Sequence, residues 1–150
     1  MRLSRHFTVE EFEKSSTALR HNIANVMGPV ERERAALLCE KVLEPTRAHF
    51  GGPIILNSGF RCRKLNLAVG SKPGSQHEAG EAADIERPGI SNATVAQWIR
   101  ANLEFDQLIL EFYRSGVPDS GWVHVSYRKS GNRRQTLTIG PGGTRQGLIV

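Results

Sequence analysis

The chain has 150 residues, 39% hydrophobic and 23% charged, which suits a single globular domain able to bury its own core without crosslinks. No segment approaches the roughly 20 consecutive apolar residues of a membrane span, and the two cysteines, Cys39 and Cys62, form neither a disulfide framework nor a CxxC clip. The formal charge of +5 and a pI near 9.7 favour a polyanionic partner; because the basic residues are scattered, with one cluster from Arg128 to Arg134 and no recognition motif, no specific nucleic acid is expected.

The start, MRLSRHFTVEEF, lacks the apolar run of a secretory signal, so synthesis in a cytoplasm is the expectation. Thr8 and Glu11 have capping-box spacing and open a short helix, TVEEFEKS, that buries Val9 and Phe12. The polar residues from Ser15 to Asn25 read as a loop. Pro29 suits a first helical turn, and Val30, Leu37, Leu38, Val42 and Leu43 recur at helical intervals, which predicts a long helix. Pro45 is expected to kink or break it, although the following TRAHF could add another turn.

After Gly51, Gly52 and Pro53, PIILNS reads as a buried strand, and the residues from Gly59 to Gln76 as a loop. EAADIE reads as a second strand. SNATVAQWIRANL predicts a helix capped at Ser91, with Ile90 and Val95 at staple spacing and Val95, Trp98, Ile99 and Leu103 as its buried stripe. FDQLILEFY and WVHVSY, joined by the turn-rich RSGVPDSG, predict an antiparallel pair. QTLTI is a candidate last strand, while GPGGTRQGLIV carries too much glycine to assign. Helices bracketing a small, mostly antiparallel sheet make an α+β domain.

Alternation along WVHVSY puts Val123, Val125 and Tyr127 on a core face and Trp122, His124 and Ser126 on the other. In EAADIE the same rule groups Asp84 with Ala82, a small neighbour that leaves room beside the carboxylate. His77 lies at the end of the preceding loop, which Gly80 can turn into the strand. Two imidazoles and one carboxylate with a fourth position open are a ligand set for catalytic zinc. A satisfied structural histidine and a solvated aspartate are the ordinary alternative. His6, His21 and His49 have no metal-like companion, and both cysteines read as packing residues.

SQHEAGEAADI matches the S-x-H-x-x-G-x-A-x-D pattern of the zinc D-Ala-D-Ala carboxypeptidase family, and GWVHVS resembles its downstream histidine strand. Upstream SGFR completes the order, and the likeness runs from His6 to about Tyr127. The segment HFTVEEF is similar to the start of phage and prophage members. The resemblance implies a single domain of the hedgehog and D-Ala-D-Ala metallopeptidase type, with a basic, glycine-rich extension over 128–150. It implies one zinc ion held by His77, Asp84 and His124, with Arg61 binding a substrate carboxylate or stabilising an oxyanion, a role that a planar guanidinium fork suits. An ordinary surface ion pair is the alternative for Arg61.

Many family members carry Glu or Asp three residues before the last histidine, where this chain has Gly121. Two replacements are available as general base: Glu111, which interrupts the apolar run LILEF and whose pKa burial would raise, and Asp119 on the preceding loop. Ser75, Gln76 and Trp122 are candidate substrate contacts. The expected activity is hydrolysis of amide bonds in peptidoglycan stem peptides or cross-links, by a monomer acting at the bacterial wall after release or as part of a phage particle. The alternatives are a carboxypeptidase or dipeptidase trimming free D-Ala-D-Ala ends, and a zinc-bearing binding or virion structural domain with little turnover.

Overall fold

The computed structural model describes residues 1–150. Thr8 closes a reciprocal capping box with Glu11 at the start of α1 (Val9–Glu13), which buries Val9 and Phe12 as expected. The stretch after it is not a plain loop. Ser15 accepts from the Ala18 N–H and starts a second short helix, α2 (Ser16–Arg20). Competing polar side chains hid this helix from a periodicity argument, because its only buried residue is Ala18.

The long helix continues past Pro45. It comprises α3 (Pro29–Leu38), a π-helical turn (Cys39–Leu43) and α4 (Glu44–Phe50). Proline removes one intrahelical donor and clashes with the carbonyl four residues earlier. Widening the preceding turn, so that the Glu44 N–H bonds to the Cys39 carbonyl five residues back, accommodates both defects. The buried stripe consists of Ala35, Leu38, Cys39, Val42 and Leu43, whereas Val30 is exposed, contrary to the periodicity reading. Cys39 is fully buried, and burial pushes its thiol up to about 12, so it is an inert packing residue. Both cysteines are free.

Six strands form one sheet in the order β1 (Ile55–Ser58), β2 (Ala82–Glu86), β4 (Trp122–Ser126), β3 (Gln107–Glu111), β5 (Gln135–Gly140), β6 (Gly143–Gln146). All neighbours are antiparallel except β3 and β5. The glycine-rich segment GPGGTRQGLIV, despite its composition, supplies β6, which closes a hairpin on β5. The region from Gly59 to Gln76 is likewise richer than a loop: it contains α5 (Arg63–Ala68) and leads into α6 (Gln76–Ala79). Helix α7 (Asn92–Asn102) starts at Ser91, although the Ser91 side chain makes no capping bond.

The sheet has two unlike faces. Ala83, Ile85, Leu108, Leu110, Val123 and Val125 point into the core, where they pack with Val95 and Ile99 of α7 and with the long helix. Burial of this apolar surface is the main stabilising term. Ala82, Asp84, Ile109, Glu111, Trp122 and His124 occupy the opposite face by strand alternation.

Candidate metal centre

Register builds the centre of that second face. Asp84 lies directly across from His124, and His124 across from Ile109. Glu111 lies across from Trp122. A residue shift of one would send all of these side chains into the core, so the hydrophobic alternation of three strands fixes where the polar groups stand.

His77 arrives from a different element. It sits on α6 and is brought to β2 by Gly80, which caps that helix in the left-handed region at φ 80°. A side chain on Gly80 would also collide with the Glu31 backbone of α3, 2.6 Å from its carbonyl oxygen. The SGFR segment holds the imidazole: His77 Nδ1 donates to the Gly59 carbonyl at 2.7 Å, and the Arg61 N–H donates to the His77 carbonyl at 3.1 Å. With Nδ1 committed, Nε2 faces Asp84, with Asp84 Oδ1 at 3.5 Å. This is the arrangement in which a partner on one ring nitrogen orients the other towards a metal.

One potential ligand atom from each of His77, Asp84 and His124 lies within 4.8 Å of the others. The residues are 3%, 9% and 8% exposed, so three polar groups converge where unpaired burial would be costly. Burial alone would raise the Asp84 carboxyl, but its contacts with His124 and His77 outweigh that and hold it well below the ordinary range. Burial pushes His77 down, towards the neutral form that a ligand requires. Two imidazole nitrogens and a carboxylate oxygen suit zinc. His6 instead bonds Glu44, His49 stacks on Trp98, and His21 caps α2, so none of the three joins the cluster.

The cluster floors a cleft of about 830 Å³ lined by Arg61, Ser75, Gln76, Glu111 and Trp122 among others. Arg61 is half-buried and has no carboxylate in ion-pair range. Its Nε donates to Asn66 Oδ1 at 3.1 Å, and its two terminal nitrogens donate to Ser58 and Ser71 at 3.3 and 3.4 Å. Burial lowers its pKa, while Asp84, Glu111 and Glu78 act the other way. Glu111 accepts from Trp122 Nε1 at 3.2 Å, and burial, aided by repulsion from Asp84, raises its carboxyl above the ordinary range. Asp119 is exposed on the β3–β4 connection and does not line the cleft.

Ser75 and Gln76 border the cleft with their side chains tied to the protein. Ser75 donates to Asn66 Oδ1 at 3.2 Å, and Gln76 Nε2 donates to Asp106 Oδ2 at 2.7 Å. Trp122 stacks on Phe112 with ring centroids 5.5 Å apart. Sequence reasoning missed Asn66, which is fully buried and accepts from both Arg61 and Ser75 while donating to Lys72 O and Glu78 Oε2 at 2.8 and 2.7 Å. A buried asparagine inside a short helix is the only signal that pointed there, and reading the region as a loop concealed it.

Gly121 accounts for the missing carboxylate of the family pattern. Its φ is +66°, and a Cβ on it would stand 2.0 Å from the Glu111 carbonyl oxygen and 2.6 Å from the Phe112 carbonyl carbon. No side chain fits at this position, and the backbone that excludes one belongs to Glu111 itself.

The chain matches the family model described as peptidase M15 over residues 5–126. A search of curated proteins returns no match.

Proposed function

Because the chain belongs to the peptidase M15 family of zinc-dependent peptidases, we propose that it hydrolyses amide bonds in peptidoglycan stem peptides or their cross-links, with His77, Asp84 and His124 as the zinc ligands. The observation that carries this reading is the buried His–Asp–His cluster on the floor of a cleft shared with Glu111 and Arg61. Zinc held there supplies Lewis acidity, polarising a scissile carbonyl and acidifying water.

The chain's own residues divide the remaining work. Glu111, with its raised pKa, takes the proton of the attacking water and returns it to the leaving amine nitrogen as the C–N bond breaks. Trp122 holds the Glu111 carboxylate by a single hydrogen bond, leaving its other oxygen for that transfer. Arg61, fixed by three neutral acceptors rather than by a carboxylate, keeps its charge for an anionic substrate group or for the developing oxyanion. The net positive charge favours adsorption to an anionic wall. The phage-like HFTVEEF start supports a lysis role in a phage or prophage.

Zinc-loaded protein incubated with defined muropeptides, with fragments identified by mass spectrometry, tests the reading. Chelator-sensitive cleavage is the expected result. Chelator-insensitive cleavage sinks the zinc mechanism, and no cleavage by metal-loaded protein leaves a binding domain in its place.

A further inference from the structure

The cleft does not end at the metal cluster. It continues across Arg34 of α3, Glu81 and Arg128 into a second groove of about 1040 Å³ alongside the long helix, and these three residues line both spaces. Arg61 lines only the first.

The two arginines on this ridge are uncommitted. Arg34 is exposed and makes one side-chain hydrogen bond, to the Ala79 carbonyl at 3.3 Å. Arg128 is exposed and engages Asn132 through its backbone alone. Neither has a carboxylate in ion-pair range, whereas Arg133 in the same cleft is forked onto Asp106 and Arg63 is paired through its Nε with Glu78. Glu81 is half-buried; burial raises its carboxyl while Arg34 and Arg128 pull it down, so all three charges share one neighbourhood. One carboxylate among two guanidiniums leaves the ridge positive.

From this juxtaposition we infer that Arg34 and Arg128 form a second anion subsite, receiving a side-chain carboxylate of an extended acidic peptide that crosses the ridge while its scissile bond lies at the metal cluster. The inference rests on the peptidase reading of that cluster. It deepens that reading by naming the substrate class: acidic, cross-linked stem peptides, which fill both grooves, rather than a short free end, which fills one. A guanidinium free of a protein carboxylate has N–H donors left to bind such a ligand.

The test uses two fluorescent cross-linked stem-peptide dimers that differ only in carrying side-chain carboxylates or carboxamides, both keeping their C-terminal carboxylates. Each is mixed with the zinc-loaded full chain, and binding is read by stopped-flow anisotropy before turnover. The wild type is expected to bind the acidic dimer about tenfold more tightly at low salt. Arg34→Ala/Arg128→Ala, checked for an unshifted Tm, is expected to bind the two dimers alike, and Arg34→Lys/Arg128→Lys to recover part of the preference. Equal affinity or no binding in the wild type overturns the subsite, as does a preference that survives in the double alanine chain. The peptidase reading fails separately: a zinc-loaded wild type that prefers the acidic dimer but releases no fragments keeps the subsite and loses the enzyme.

Discussion

Asp84 and His124 stand opposite each other across the β2–β4 ladder, with Asp84 Oδ1 3.0 Å from His124 Nδ1. That one register contact, extended by His77, sets the first prediction. His77→Ala, Asp84→Ala and His124→Ala should each lower zinc affinity beyond the roughly 10–100-fold typical of losing a partner outside the ligand set. Metal analysis of the purified variants checks this, and zinc retained in all three refutes the assignment. Zinc at about 100 times its Kd should stabilise the wild type by about 2.7 kcal/mol, which a chelator would remove as a Tm loss of roughly 5–10 °C.

Glu111→Gln should retain zinc and lose roughly 100-fold to 10,000-fold in kcat. Burial raises the Glu111 pKa, so the wild-type rate should climb with pH through a value above the ordinary carboxylate range, as the base loses its proton. The variant should lack that limb. Full activity in Glu111→Gln moves the role to Asp119 despite its exposed position.

How much of this was legible depended on the length scale of each cause. Alternation within β2 and β4 groups Asp84 with Ala82 and separates His124 from the core-facing valines, but LILEF is apolar on both sides, so only the β3–β4 register shows that Glu111 shares their surface. His77 was legible only through a spacing pattern, since its partner, the Gly59 carbonyl, is a backbone group 18 residues away in sequence. Pro45 misled because the cost of a helical proline is local, whereas its relief by the π turn at Cys39–Leu43 depends on how the long helix packs. Helices α2, α5 and α6, of five, six and four residues, are too short to display a period, and tertiary contacts hold them.

Under the proposed function Asn66 is a positioning residue, since it does not line the cleft and connects to it through Arg61 and Ser75. Asn66→Ala frees the Arg61 Nε and leaves the Lys72 carbonyl and Glu78 without its donors. Steady-state kinetics on an anionic stem peptide should show KM rising several-fold, about 1 kcal/mol of lost binding, with kcat changing less. A fall in kcat at constant KM would place Asn66 in the chemistry itself.

Asp106 contributes acid-sensitive stability. It is fully buried, accepts Arg133 at both oxygens, and is held down at about 2, chiefly by that pairing. A carboxyl depressed in the folded state stabilises the fold at pH values above its unfolded pKa. The contribution, of order 1–2 kcal/mol after allowing for the half-exposed arginine, is therefore complete above about pH 5 and lost as pH falls from there towards 2. Urea unfolding from pH 6 to pH 3 should show that Asp106→Asn flattens this part of the profile. An unchanged slope excludes the pair as its source.

Gly121→Glu restores the carboxylate that the family pattern places three residues before the last histidine, and the geometry predicts that it fails. A Cβ at this position meets the Glu111 carbonyl oxygen at 2.0 Å in a backbone held at φ +66°. Relief would require the end of β3 to move away from Gly121, carrying Glu111 with it. Gly121→Ala, which adds only the Cβ, should therefore cost about 3 kcal/mol in urea unfolding and lower kcat as well. If the glutamate variant were instead stable and more active, the β3–β4 connection would have to be free to rearrange, and the clash at Gly121 would cease to account for the absence of a carboxylate there.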